Sequence, residues 1–176
     1  VLIDLALDYS KATRLAIANS IDRETLNQES NEGFPAIAEG PFAPGVLGHL
    51  EDTGFPDFDL EAAKAQVAAM KEAGDDTSIS MLTSAGPVAV RQAQIQKAML
   101  EAAGFTITLE IETEADLIKR VIGGDYELAS FRNQPGEDPD MDYIWWYGEN
   151  NPVNFGRFDD PVINENLDEA RSNPDE

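Results

Sequence analysis

Hydrophobic residues recur along this chain at two spacings, and each spacing predicts its own kind of element. Between 59 and 73 the apolar positions fall at i, i+3, i+7 and i+10 from Leu60, which is the period of a helix with one buried face. Asp59 is the predicted N-cap of this helix, and Gly74 supplies a left-handed residue to end it. The same spacing predicts helices over 11–29, 87–103, 114–122 and 162–172.

The first helical stretch, 11–29, allows two interpretations. It is either one helix or two, because the sequence from Asp22 to Leu26 is itself typical of a helix start. Residues 30–58, which follow, hold nine Gly or Pro residues, and this density predicts an extended, turning segment without long elements. The predicted buried face of the 87–103 helix carries Val88, Ile95, Met99 and Ala102.

Strict alternation of apolar and polar residues marks the strands. From Phe105 to Ile111 every second residue is apolar, which predicts a strand with one covered face. Shorter apolar runs predict strands over 78–83 and 126–131, and the start of the chain alternates loosely enough to form another. Strands and helices then alternate as β-α-β-α-β, so the strands are predicted to be parallel and joined by right-handed crossovers. The predicted fold class is α/β, a mostly parallel sheet with flanking helices.

The charge balance narrows the range of partners. The 176 residues include 34 Asp or Glu and 12 Lys or Arg, so the formal net charge is 12 − 34 = −22. A surface this acidic argues against a nucleic-acid backbone or an anionic membrane as the main partner. A saline habitat or an acidic exported protein each explains the excess. There is no cysteine, and no apolar run approaches the ~20 residues that a membrane span needs.

The inventory of catalytic groups is poor. His49 is the only histidine, and it lies in a Gly/Pro-rich stretch with no Gly-x-Ser-x-Gly sequence nearby. Glycine motifs that bind nucleotide phosphates are absent as well, so no cofactor is predicted. A pair of carboxylates acting as in a glycoside hydrolase stays open as an alternative, because 34 acidic residues guarantee chance pairs and nothing selects one of them.

One acidic pattern resembles a metal site and is interpreted otherwise. The carboxylates from Asp138 to Glu149 match four ligand positions of a calcium loop, but Tyr143 stands where that loop requires glycine. No metal is therefore predicted. The preferred interpretation is that Asp140 or Asp142 caps a short aromatic helix within 141–147.

Polar and aromatic residues follow the strands that end on one edge of the predicted sheet. Ligands of open α/β sheets bind outside the carboxyl ends of the strands. Aromatic rings either pack beneath a loop or line a ligand cleft, since clefts favour rigid walls. The candidate ligand-binding residues are Thr83, Ser84, Arg132, Asn133, Gln134, Trp145 and Trp146. A satisfied turn or a packing role is the alternative for each of them.

Several motifs occur in the order in which one transport family carries them. They are Arg14-Leu-Ala-Ile-Ala-Asn-Ser-Ile-Asp-Arg-Glu-Thr-Leu26, Gly40-Pro41-Phe42-Ala43-Pro44-Gly45, Asp59-Leu-Glu-Ala-Ala-Lys64, Ala103-Gly104-Phe105, Gly124-Asp125-Tyr126-Glu127, Asp138-Pro139-Asp140, and a stretch from Phe155 that ends in Leu-Asp-Glu-Ala-Arg171. In this order the chain resembles the family 5 extracellular solute-binding proteins of ABC importers, the peptide- and nickel-binding group.

The resemblance implies that residues 1–176 are a partial solute-binding domain, the second lobe of a clamshell-like protein with the periplasmic-binding-protein-like type II fold, without its first lobe. It implies a monomer outside the cytoplasmic membrane, in the periplasm or as a cell-surface lipoprotein. Such a protein captures a small solute by hinge closure and delivers it to the transmembrane subunits of an ABC permease, with no covalent chemistry. A carboxylate-based hydrolase fragment and a stand-alone interaction domain that reuses the fold are the alternatives.

The resemblance also bears on the ligand. Peptide-binding members place an acidic residue shortly before the Asp-Pro pair, and some place an arginine after the first strand of the β-α-β-α-β run. Here residues 133–136 contain no carboxylate, and residues 83–87 contain no arginine. These departures favour a longer peptide held by backbone contacts, or a neutral solute such as an oligosaccharide, over a dipeptide. Arg132 is a candidate anion contact.

Overall fold

The structure, a computed structural model, describes residues 2–5, 9–34, 36–42, 44–131, 139–148 and 150–173. The strands are β1 (Leu2–Leu5), β2 (Ser78–Ser84), β3 (Thr106–Glu112) and β4 (Leu128–Phe131). The helices are α1 (Lys11–Ser20), α2 (Arg23–Asn31), α3 (Leu60–Ala73), α4 (Pro87–Ala103), α5 (Glu114–Gly123), α6 (Tyr143–Trp146) and α7 (Pro161–Ser172). A 3-10 turn over Pro139–Asp142 leads into α6.

The four strands form one sheet in the order β1-β4-β2-β3. β2 is parallel to β3 along its whole length, from the pair Ser78 and Thr106 onward. β2 is also parallel to β4, where Met81 lies opposite Leu128. β1 pairs with β4 in the antiparallel direction. The predicted α/β fold with three neighbouring parallel strands is therefore confirmed, and the predicted N-terminal strand adds one antiparallel edge.

The larger core lies on the sheet face that α1, α3 and α4 cover. Alternate residues of β2 and β3 project into it, among them Ile79, Met81 and Ile107. α3 contributes the face that its sequence period predicts, with Ala63 and Val67 buried. The other sheet face carries a smaller cluster beneath α5, composed of Leu82, Leu117, Val121, Tyr126, Ala129 and Phe155.

The first helical stretch is two helices rather than one. α1 ends at Ser20, Ile21 has extended backbone, and Asp22 caps α2 by accepting a 3.0 Å hydrogen bond from the Thr25 backbone N–H. The interpretation with a break at Asp22 is confirmed, because the cap satisfies an amide that a continuous helix would have bonded differently. Between α2 and α3 the described residues form no helix or strand, as the Gly/Pro density predicts.

The buried face of α4 differs from the predicted one. Val88 is 54% exposed and Ala102 is exposed, while Ile95 and Met99 pack only at the margin of the core. The residues that α4 buries are Gln92, Ala93, Gln96, Leu100 and Ala103. The small side chains of Ala93 and Ala103 let α4 approach the sheet closely. Gln92 and Gln96 lie on the same side of the helix and are buried for that reason.

β3 is covered only over its first half. Ile107 is 3% exposed, whereas Ile111 on the same face is 49% exposed, so the prediction that this whole face is covered is wrong for its last residue. β3 is an edge strand, and α4 crosses it near its start, where Lys97 Nζ donates to the Ile107 carbonyl at 2.7 Å. The far end of β3 therefore extends beyond the helix layer.

Candidate functional site

The carboxyl ends of β2, β3 and β4 lie along one edge of the sheet, here called the carboxyl edge. The strands end there at Ser84, Glu112 and Phe131. The turn from β2 to α4 stays against β3, because the Ala85 N–H donates to the Glu112 carbonyl at 2.8 Å. Edges of this type are where open α/β sheets bind ligands.

Thr83 and Ser84 lie at this edge but face opposite sides of the sheet. Thr83 is fully buried on the α4 side, and its Oγ1 has no hydrogen-bond partner within the described part of the chain. Ser84 is half-buried on the α5 side. The structure thus leaves Ser84 available for contact, while contact with Thr83 requires a local opening. A ligand role for either residue stays a prediction.

Three of the candidate residues, Arg132, Asn133 and Gln134, lie outside the described residues. Their proposed contact with a ligand stays a prediction. β4, the strand that precedes them in the sequence, ends at Phe131 on the carboxyl edge.

A row of contacting aromatic rings connects Trp145 to Phe131 at the carboxyl edge. Its ring lies 5.8 Å from the Phe155 ring, which lies 5.2 Å in an edge-to-face arrangement from Phe131. Trp146 packs instead on Phe158 at 6.3 Å, and its Nε1 is buried without a partner among the described residues. Both tryptophans are half-buried, so each packs against a neighbouring ring and keeps part of its surface accessible.

The aromatic helix α6 is held by asparagines to which the sequence analysis assigned no role. Asn151 Nδ2 donates to the carbonyls of Ile144 at 2.5 Å and Tyr147 at 3.0 Å. Asn164 Oδ1 accepts from the Gly148 N–H at 2.8 Å. Carbonyls at the end of a helix lack partners within it, and an asparagine amide can satisfy them. The available sequence signal was the occurrence of three asparagines, Asn151, Asn154 and Asn164, within the fourteen residues 151–164 that follow the aromatic helix.

The predicted cap of α6 is confirmed in position only, at Asp142. Asp142 occupies the N-cap position with helical backbone and makes no capping hydrogen bond with its side chain, because the preceding 3-10 turn already leads the chain into α6. Asp140 pairs with Arg171 of α7 at 2.6 Å. The Arg171 guanidinium also lies 4.3 Å above the Tyr143 ring, so these acidic and aromatic residues join α6 to α7.

An open groove of about 500 Å³ lies between α6 and α7. Its lining residues are Tyr147, Asp159, Pro161, Asn164, Glu165 and Asp168. Asp168 accepts a 2.7 Å hydrogen bond from the hydroxyl of Tyr143 on α6. Desolvation and this hydrogen bond raise the pKa of the Tyr143 hydroxyl above its ordinary value, so Tyr143 stays a donor. Asp159 accepts a 2.8 Å hydrogen bond from Asn164 Nδ2. Two of the three carboxylates in the groove are therefore engaged in holding α7.

No cluster of metal ligands occurs in the part of the chain that the structure describes. Asp138 and Glu149, two positions of the calcium-like pattern, lie outside it. His49 Nδ1 is 2.9 Å from the Phe42 carbonyl, a contact that stabilises its own turn. Among the described helices, none combines the length and the apolar character that crossing a membrane demands.

Arg120 neutralises acidic residues of β3 and of the turn that precedes β4. Its Nη1 contacts Glu110 at 2.5 Å and Glu112 at 3.5 Å, and its Nε contacts Asp125 at 3.3 Å. The hydrogen bond to Glu110 raises the pKa of Arg120 above its ordinary value, against the effect of desolvation. One cation therefore joins β3, α5 and the turn before β4.

We expect Arg120→Met to lower the free energy of unfolding by about 1 kcal/mol, because it leaves three carboxylates without their shared partner. Chemical denaturation of the purified chain measures this loss. Lys119→Met is the matched control, since Lys119 is exposed on the same helix and carries the same charge. Equal losses in the two variants would assign the effect to net charge rather than to the ion cluster.

Comparison with known proteins gives one family and several related folds. The family model described as bacterial extracellular solute-binding proteins, family 5 Middle, matches residues 8–155. The ABC transporter substrate-binding protein CtaP of Listeria monocytogenes matches 99% of this chain with a TM-score of 0.87 and 18% identity, over 37% of its own length. No curated protein sequence matches the chain.

Two further solved structures contain peptides. The periplasmic binding protein DppA of Helicobacter pylori, in complex with the peptide STSA, matches 98% of this chain with a TM-score of 0.83 and 21% identity, over 35% of its own length. The oligopeptide-binding protein AppA of Bacillus subtilis, in complex with a nonapeptide, matches 98% with a TM-score of 0.81 and 18% identity, over 38% of its length. The chain thus spans little more than a third of these proteins.

Proposed function

Because this chain belongs to family 5 of the bacterial extracellular solute-binding proteins, we propose that it is the second, ligand-contacting lobe of the extracytoplasmic component of an ABC importer. The observation that carries the proposal is the family match over residues 8–155 together with the parallel sheet whose three neighbouring strands end at one edge. The protein acts as a monomer in the periplasm or at the cell surface. It closes around a solute and delivers it to the transmembrane subunits of a permease.

The proposed ligand is a peptide longer than a dipeptide. The described side chains at the carboxyl edge are mostly uncharged, and those of Ser84 and Trp145 are partly accessible. Glu112 is charged, but its carboxylate forms an ion pair with Arg120 at 3.5 Å. A site of this kind favours backbone hydrogen bonds and aromatic contact over capture of charged peptide ends. Peptides are also bound in two of the similar structures, although these share only the fold with this chain. A neutral oligosaccharide is the alternative ligand.

Binding without covalent chemistry is part of the proposal. A glycoside hydrolase needs two free carboxylates about 5–10 Å apart across the scissile bond. In the groove between α6 and α7, Asp168 and Asp159 instead accept hydrogen bonds from Tyr143 and Asn164. These acidic residues stabilise α7 and are not free to act as an acid and base pair.

The test is direct titration of the complete gene product with alanine peptides of two to five residues, with maltotriose in parallel. We expect the longer peptides to bind more tightly than the dipeptide and to be recovered intact. Ser84→Ala should weaken binding about fivefold through loss of one neutral hydrogen bond. Ser80→Ala is the matched control, four residues earlier on the same face of β2 and also half-buried.

Each outcome of this titration has a consequence. Binding of maltotriose alone would replace the peptide by a neutral sugar. Hydrolysis of any probe would overturn the proposal of a binding protein. The absence of binding to every probe, with the protein folded, would contradict the assignment of the carboxyl edge as a peptide site.

A further inference from the structure

Asn154 joins three parts of the chain around the aromatic helix. Its Nδ2 donates to the Tyr147 carbonyl at 3.2 Å, directly after α6, and to the Phe158 carbonyl at 2.8 Å. The residue is 1% exposed, and its Oδ1 has no partner among the described residues. The two N–H donors are therefore the part of the side chain that holds the structure together.

The neighbouring residue, Phe155, connects this junction to the sheet. Its carbonyl accepts a 2.5 Å hydrogen bond from the Tyr126 hydroxyl, which comes from the turn before β4. Its ring contacts Phe131, the last residue of β4, on one side and Trp145 of α6 on the other. The pair Asn154 and Phe155 thus lies between the end of β4 and the helix that carries Trp145.

We propose that Asn154 is a positioning residue for ligand binding. By tying the end of α6 to the 151–158 loop, it fixes the distance of the Trp145 ring from the carboxyl edge, so that the accessible side of the ring stacks on a bound peptide. This inference rests on the proposed function for its ligand. The position of the ring itself is measurable without any ligand.

The deciding variant is Asn154→Asp, which keeps the shape of the side chain and removes both donors. Asn166→Asp is the matched control, because Asn166 is exposed on α7 and undergoes the same chemical change. Val67→Ala is the stability control, because it opens a cavity in the larger core, on the opposite face of the sheet. If Asn154→Asp fails to fold, Asn151→Asp replaces it, since Asn151 is less buried and donates to the same Tyr147 carbonyl.

Two measurements are made at a temperature where far-UV circular dichroism shows every variant folded. Near-UV circular dichroism is recorded on the 176-residue chain in a Trp146→Phe background, where Trp145 is the only tryptophan of that chain, so that the tryptophan signal reports the packing of the Trp145 ring. In the complete gene product, titration with penta-alanine gives the dissociation constant. We expect Asn154→Asp to alter the tryptophan signal and weaken peptide binding about tenfold. Asn166→Asp and Val67→Ala should leave both unchanged.

The two readouts separate this inference from the proposed function. An unchanged tryptophan signal in Asn154→Asp overturns the positioning role, whether or not peptides bind. An altered signal with undiminished affinity also overturns it, because the position of the ring would then not matter to the ligand. If the unmutated protein binds no peptide, the ligand part of the inference falls with the proposed function, and the tryptophan signal alone decides whether Asn154 sets the ring.

Discussion

Raising NaCl from about 0.1 M to about 1 M should stabilise this chain by about 3 kcal/mol, a rise of about 10 °C in Tm. The reason is self-repulsion, since 34 acidic residues face only 12 basic ones. In the described residues, seven ion-pair contacts use five cations, those of Arg23, Lys64, Lys97, Arg120 and Arg171. Most carboxylates of the described residues are outside these ion pairs, and salt shortens the range of their repulsion. Thermal melts across a salt series measure the gain.

The control for this prediction is a variant with Glu29, Glu51 and Glu72 replaced by glutamine, all three being exposed in the structure. Its gain from salt should be smaller, because three repelling charges are removed. A gain of the same size would assign the effect to stronger apolar burial in salt. No gain at all in the unmutated chain would contradict a saline origin of the acidity and favour an acidic exported protein.

Replacing Gln96 by methionine should raise the free energy of unfolding by about 2 kcal/mol, the cost of burying an amide that makes no hydrogen bond. Gln96 is fully buried on α4, and neither its Nε2 nor its Oε1 has a partner in the described part of the chain. Methionine has a similar volume and no polar group to satisfy, and its flexible chain adapts to the same space. Chemical denaturation measures the difference.

Gln94→Met tests whether the gain comes from burial. Gln94 is exposed on the same helix, so the same substitution there should leave stability nearly unchanged. A loss of stability in Gln96→Met would show that the buried amide has a partner in the folded protein. In that case the Gln96 amide and the Thr83 hydroxyl would have to be treated as one buried polar group. The Thr83 hydroxyl lies on the side of β2 that faces α4, and it also has no hydrogen-bond partner among the described residues.

Local periodicity was sufficient for most of the architecture. The bounds of α3, its cap at Asp59, and the order of strands and helices all follow from residues close together in sequence. Faces were predicted less well. Val88 and Ile111 have the right period for burial, yet both lie beyond the area where α4 and the sheet meet. The place where α4 crosses β3 decides which of these residues are covered, and no sequence window contains that crossing.

The candidate site, too, was predicted where local sequence patterns decide and missed where tertiary contacts decide. The sequence identified Thr83, Ser84 and the two tryptophans because strand ends and aromatic rings have recognisable local patterns. It did not identify Asn154, whose side chain donates to the carbonyls of Tyr147 and Phe158. It also did not identify the role of Phe155, which contacts Tyr126 and Phe131 more than twenty residues away. Ordinary polar loops contain asparagines as well, so composition alone could not separate a structural amide from a solvated one.

The sequence by itself determined the order of elements, the parallel direction of three strands and the excess of negative charge, because each depends on neighbouring residues or on simple composition. Tertiary structure alone decided which side of α4 is buried, how Phe155 connects β4 to Trp145, and which carboxylates Arg120 neutralises. These features arise where distant segments meet, and there packing and hydrogen-bond geometry select one arrangement among several that the local sequence allows equally well.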